Sequence, residues 1–159
     1  MKTTFARRQL CICASALLLL AAPASAEQQP AAWASHRPLA DWISTGFVVG
    51  QASMETWTNL HAPHRRQALL CQGLRTAIVV GAAEASKALV SRTRPDGSDA
   101  KSFFSEHTAL TAVHSGWSFQ IGIPITFGAG YGRAAAAKHY WSDIAVGAVT
   151  GFLARTVCR

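Results

Sequence analysis

Few features that would announce a prosthetic group or a macromolecular partner occur in this sequence. Only four cysteines are present, and two of them, Cys11 and Cys13, fall in the first apolar stretch. No Cys-x-x-Cys and no His/Cys cluster follows, so nothing suggests a zinc site. Lys and Arg outnumber Asp and Glu by 15 to 8. They form no basic run interleaved with aromatics, which argues against nucleic acid as a partner. A modest positive excess suits instead an anionic substrate or an anionic membrane surface. Beyond residue 26 there is no clean run of about twenty apolar residues. The segments 38–59, 66–91 and 106–130 are moderately apolar, each interrupted by charge or by Pro and Gly. A bundle embedded in a membrane can hide such groups inside itself, so the sequence leaves insertion open. Internal repeats and low-complexity linkers are also missing, as expected of one domain.

The first segment reads as a secretory signal peptide. Lys2, Arg7 and Arg8 give a positive start, Leu10 to Ala22 an apolar run, and Ala24-Ser25-Ala26 small residues for a signal peptidase. Its removal lowers the formal charge from +7 to +4 through Lys2, Arg7 and Arg8. The chain from Glu27 onward is long enough for one domain with its own core. The expected location is the exported compartment: the periplasm or the outer face of the inner membrane.

Patterning predicts an all-α bundle of about four to six helices. Pro38 to about Asn59 has Leu39, Trp42, Ile43, Phe47 and Val48 near helical spacing. His61-Ala-Pro-His64 is a break, and Arg65 to Ser91 an Ala- and Leu-rich helix. Arg94-Pro95-Asp96-Gly97 ends it with turn residues. Ser105 is placed to cap a helix through His114. Gly116 to Tyr131 is mixed: Ile121, Ile123, Ile125 and Phe127 alternate as in a strand, Pro124 weakens both the strand and the helix reading, and the stretch reads as a broken helix. Ala134 to Ala154 reads as the last helix, with cationic residues beyond it.

Three separated groups carry chemistry. The first is Lys87 followed after six residues by Arg94-Pro95. The second is Ser102-Phe103-Phe104-Ser105-Glu106-His107-Thr108. The third is Arg133, then His139, then Asp143. A phosphoryl group in transfer spreads negative charge over three oxygens, and positioned cations and N–H donors stabilise it. Lys87, Arg94 and Arg133 supply such charge, Arg as a two-pronged donor and Lys as a point charge. The helix start at Ser105 adds backbone donors and dipole. On a continuous helix His139 and Asp143 would share a face, and a carboxylate there could hold the imidazole and stabilise its cation. His139 then becomes the candidate nucleophile, and His107 the general acid opposite it.

In this order and spacing the three groups resemble the signature of the type 2 phosphatidic acid phosphatases, the bacterial class A acid phosphatases and the vanadium haloperoxidases. The resemblance covers about residues 65–155. It implies a helical domain with the active site at one end, a phosphohistidine intermediate and no metal or other cofactor. It also implies a phosphate ester or lipid phosphate as substrate, with membrane association a possibility. A vanadate-dependent haloperoxidase is the weaker alternative, since the chain is short for that family. Two positions depart from the pattern. Phe104-Ser105-Glu106-His107 stands where the family has Pro-Ser-Gly-His, and Gly132-Arg133 where it has Ser-Arg. Glu106 therefore puts a carboxylate at the anion site. It either points away, or raises the pKa of His107, or leaves a catalytically impaired phosphate- or lipid-binding protein. The segment from His107 to Arg133 is also shorter than the family's.

Each residue also has a blander reading. Lys87 and Arg94 alone would be a solvated helix end, and His139 with Asp143 a surface pair worth about 0.3–0.5 kcal/mol. Arg92 reads as a surface residue and His114 as structural. Cys71 lies about 24 Å along a helix from Lys87, and Cys158 about 28 Å from His139. Both therefore fall at the end remote from the site, and we expect them to pair. A disulfide there favours a soluble or peripheral exported protein over one spanning the inner membrane with its site outward.

Overall fold

The computed structural model describes residues 36–158. The segment read as a signal peptide and residues 27–35 after it lie outside the described residues. Within them are five α-helices, one short 3-10 turn and no strand. They are α1 (Arg37–Leu60), α2 (Arg65–Leu89), α3 (Glu106–Val113), the 3-10 turn Ser115–Trp117, α4 (Phe119–Ala135) and α5 (Trp141–Ala154). Short α3 occupies the centre and touches all four others. Around it α1, α4, α5 and α2 close a ring, each in contact with the next.

Helix α1 begins with Pro38 in its first turn, where the missing N–H costs nothing. It is about 36 Å long. His61–His64 turn the chain, and α2 returns alongside α1. Polar side chains hold this hairpin: Asn59 donates to Gln72 at 3.0 Å, and Gln72 donates to Thr56 at 2.8 Å. Ser105 caps α3 through its hydroxyl, which accepts from the Thr108 N–H. Helix α5 lies close against α3 because Gly147 and Gly151 carry no Cβ. A Cβ at either position would collide with the carbonyl oxygen of Ser105 or of Ala109. Val79, Ala83, Phe103, Phe104, Ala109, Val113 and Val146 form the apolar core at this crossing.

Cys71 and Cys158 are joined, with Cα atoms 5.6 Å apart. The crosslink ties the start of α2 to the chain beyond α5, at the end remote from Lys87. Such bonds contribute about 2–4 kcal/mol.

The last helix differs from expectation. The run predicted from Ala134 to Ala154 is broken at residues 136–140, and α5 starts only at Trp141. The Lys138 N–H bonds to Arg133 O and the Ala137 N–H to Ala134 O. These two bonds are a complete Schellman ending, with Ala137 at φ +55° in the position that favours glycine. An alanine-rich run with no glycine gives no signal for such a stop. His139 therefore stands on a loop, and it does not share a helix face with Asp143. At the predicted broken helix, the break falls before Pro124. The 3-10 turn ends it, and α4 continues through the proline.

Polarity is distributed unusually. Helix α1 buries Ser44, Gln51 and Glu55, while Trp42 and Trp57 are 76% and 64% exposed. Leu70 on α2 and Phe127 on α4 are each 65% exposed. A large apolar side chain left in water forgoes about 1.5–3 kcal/mol of burial.

Candidate active site

Five elements converge at the end of the bundle where α2 finishes and α3 begins. Lys87 lies in the last turn of α2. The connection from Val90 to Ser102 doubles back on itself. Arg94 N–H bonds to Asp99 O, and Ser102 N–H to Arg92 O. Asp96 N–H bonds across to Ala137 O, and Lys138 reaches Asp96 at 2.7 Å. These contacts fasten the Arg94 turn to the loop that carries His139.

His139 is buried and held by Ser102. Its Nδ1 lies 2.6 Å from the Ser102 carbonyl oxygen. A carbonyl can only accept, so Nδ1 carries the proton and Nε2 of the neutral ring keeps its lone pair. Burial pushes the His139 pKa down to about 3, with the charges of Arg133 and Arg94 adding to the effect. The bond to Ser102 opposes them. At neutral pH the ring is therefore a neutral base with Nε2 available.

Asp143 does not reach His139. Its Oδ2 accepts from the Ser102 hydroxyl at 2.5 Å and from the Tyr140 N–H at 3.2 Å. Its Oδ1 pairs with Nη1 of Arg92, which also donates to Ser142 at 2.9 Å. The Arg92 guanidinium rests 4.2 Å from the centre of the Tyr140 ring. The expected direct carboxylate–imidazole contact is thus replaced by a relay: Arg92 on Asp143, Asp143 on the Ser102 hydroxyl, and the Ser102 carbonyl on His139. The break at residues 136–140 explains the change, because it removes the helical register that would have stacked the two side chains. Arg92, read from sequence as a surface residue, belongs to this buried group.

His107 sits in the first turn of α3, its Nε2 3.3 Å from the Thr45 hydroxyl of α1. Thr45 donates its own proton to Asp41 O at 3.1 Å. It is therefore the acceptor toward His107, which places a proton on Nε2. Burial lowers the His107 pKa to about 4, as does the charge of Arg133, against the opposing carboxylates Asp41 and Glu106. Fields from Lys87, Arg133 and Glu106 reach His107, and those of Arg133, Arg94 and His107 reach His139. The predicted residues therefore surround one locus.

Each expected phosphate-binding cation carries a carboxylate of the chain itself. Lys87 bonds Glu106 at 2.6 Å and Glu84 at 2.6 Å. Arg94 bonds Asp99 at 2.7 Å, and Arg133 pairs with Asp41. Glu106 thus points neither away nor into a void; it lies on Lys87. The Nε of buried Arg133 has no hydrogen-bond partner among the described residues. A buried guanidinium N–H left unpaired is a donor available to an anion. Ser105 contributes no hydroxyl here. Its side chain is buried and engaged with Thr108 at 3.0 Å.

Sequence reasoning missed Asp41 and Thr45, which lie one helical turn apart on α1, outside the recognised motifs. It also missed Ser102 as the partner of His139. His114 has partners of its own: Glu55 at 2.5 Å, itself bonded to Arg75 at 2.7 Å, and Thr76 at 3.3 Å. This buried group stands toward the disulfide end. Among the described residues no three His, Cys, Asp or Glu side chains are grouped as metal ligands would be. Comparison with known proteins returned no match to a family model, a curated protein or a solved structure.

Proposed function

We propose that the protein is a phosphatase that hydrolyses a phosphomonoester through a phosphohistidine on His139, without a metal. The observation that carries this reading is the state of His139. It is buried, its Nδ1–H is committed to Ser102, and its free Nε2 stands within the fields of Arg133 and Arg94. Nε2 attacks phosphorus, and the P–O bond to the leaving group breaks. His107 gives the leaving oxygen a proton. Water, deprotonated by His107, then cleaves the P–N bond and releases inorganic phosphate. Arg133, Arg94 and Lys87 balance charge on the transferring group once it displaces the carboxylates they now hold. The substrate class is a small phosphate ester or a lipid phosphate. The proposed location is the periplasm or the outer face of the inner membrane, for which the signal-like start speaks; the Cys71–Cys158 bond points to an oxidising compartment at the end of the bundle remote from the site.

A second reading has its own support. Glu106, Asp41 and Asp99 occupy the cations of the site, as they would in a phosphate- or lipid-binding protein with impaired turnover. Phosphate release from a chromogenic monoester and from a lipid phosphate, with chelator present, separates the two. The enzyme releases phosphate and loses that activity in His139→Ala. Binding of phosphate with no release above the His139→Ala background supports the binding protein instead.

A further inference from the structure

We propose that the outer surface of the helical ring is solvated by the hydrocarbon of a lipid bilayer. This rests on the distribution of polarity and is independent of the phosphatase reading. Between Trp42 and Leu60 no exposed residue of α1 is charged. The same holds on α2 between Ala68 and Ala83, and along the whole of α4 and α5. A soluble domain of this size carries charge on about a quarter to a third of its surface. Charge and polarity are found inside instead, as Glu55 bonded to both Arg75 and His114, with Ser44, Gln51 and Gln72 buried beside them. Polar groups that satisfy each other within a bundle whose outside is apolar are what a membrane interior requires.

The belt closes around the molecule, because all four outer helices contribute to it and they form a closed ring. A second copy of the chain would cover one side and leave the others in water. Lipid covers every side. Exposed charges lie at the two ends: Arg65 and Arg66 at one, Glu84, Asp99 and Lys101 at the other. The length of α2 between them that exposes no charged residue is about 25 Å, close to the roughly 30 Å of a hydrocarbon core. Arg65 and Arg66 suit anionic headgroups. Trp42 marks one end of α1 and Trp57 the other, the interfacial positions such rings favour. The close α3–α5 crossing over Gly147 and Gly151 is also a membrane-type contact. Among the described residues, length and composition alone flag only Arg65–Leu89 as long and apolar enough to cross. In α1 the average over the helix mixes a polar buried stripe with an apolar outer face.

The Cys71–Cys158 bond weighs the other way, since a spanning bundle sets it and the phosphate mouth in different compartments. One crosslink is a smaller term than an apolar exterior on four helices, so the exterior decides. The oxidation state of the pair in cells then reports which end faces the oxidising side.

The test uses the full chain in a bacterial host. Membranes washed with alkaline carbonate and urea should retain it, and detergent should release it. Reconstituted in phosphatidylethanolamine–phosphatidylglycerol vesicles with brominated acyl chains, it should lose tryptophan emission, and Trp42→Phe and Trp57→Phe should each reduce that loss. Val49→Lys and Leu74→Lys should cut the amount of folded protein in the membrane several-fold. The proposal is overturned by protein that stays in aqueous buffer without detergent, as monomer or oligomer. It is equally overturned by emission unaffected by the brominated chains, or by lysine variants that fold and accumulate like the parent.

Discussion

The carbonyl of Ser102 accepts from Nδ1 of His139 at 2.6 Å, while the hydroxyl of the same serine donates to Asp143 at 2.5 Å. One residue thus joins the candidate nucleophile to a fully buried carboxylate. Asp143 is in turn neutralised by Arg92. The imidazole is fixed by backbone, and the backbone by a side-chain ion pair.

This arrangement predicts different outcomes along the relay. Ser102→Ala keeps the carbonyl and removes the hydroxyl, leaving one Asp143 oxygen short of a donor. The expected cost is about 1–3 kcal/mol of stability, with kcat reduced and KM little changed. Asp143→Asn leaves the half-buried Arg92 without its counter-charge and should cost about 3 kcal/mol. Thermal denaturation beside steady-state phosphate release measures both. If Asp143 acted directly on His139, kcat in Asp143→Asn would instead fall as far as in His139→Ala while the fold stayed intact.

Glu106 occupies Lys87 and its charge raises the His107 pKa. Glu106→Gln should therefore free Lys87 for the anion, lowering KM several-fold. Glu106→Gly, which also removes the bulk, should increase turnover. Both variants should move the His107 limb of the pH profile toward acid. An unchanged KM would mean that the substrate does not use Lys87.

The pH dependence follows from the two histidines. His139 must be neutral to attack, which holds above about pH 3, and His107 must be protonated to donate, which in the free protein holds below about pH 4. The ratio kcat/KM should rise as pH falls from 7 toward 4 and drop again below about 3. Bound dianionic phosphate favours the His107 cation, so the limb seen in kcat should lie at higher pH. Stability has its own sign. Both folded pKa values lie below the ordinary histidine value of 6.5, so the unfolded chain binds protons first. Their contribution is complete above about pH 6.5 and declines as pH falls toward 3. A kcat/KM profile that rises toward alkaline pH would contradict these assignments.

Ala137 adopts a left-handed conformation at φ +55° to end α4. Ala137→Gly should stabilise the fold by about 1 kcal/mol, since glycine adopts this conformation without a Cβ penalty. Denaturation midpoints provide the comparison. A loss of stability would mean that Ala137 packing outweighs its backbone strain.

The legible and illegible parts of the chain divide on physical grounds. Helices α1 and α2 and the Ser105 cap were readable because apolar spacing and punctuation agreed there. The residues of the three motifs stood out in the sequence as one group, and the structure gathers them at one end. The stop after Ala135 was not readable: Ala134 to Ala137 favour helix, and the reversal depends on an alanine in a glycine's conformation. That one miss carried the error over Asp143 and His139. Asp41 and Thr45 were invisible because their roles arise only from the packing of α1 over α3 and α4. Arg92 and Arg94 are two residues apart, and only the doubled-back connection sends one to Asp143 and the other to Asp99.

The most direct measurement is the capture of the covalent intermediate. The full chain would be mixed with a labelled phosphomonoester in the presence of chelator, quenched in alkali within a turnover, digested and mapped by mass spectrometry. Phosphate is expected on His139, stable to alkali and labile to acid, and absent from His139→Ala. A chain that turns over substrate with no phosphate on His139, or whose His139→Ala variant turns over undiminished, would contradict the phosphohistidine mechanism.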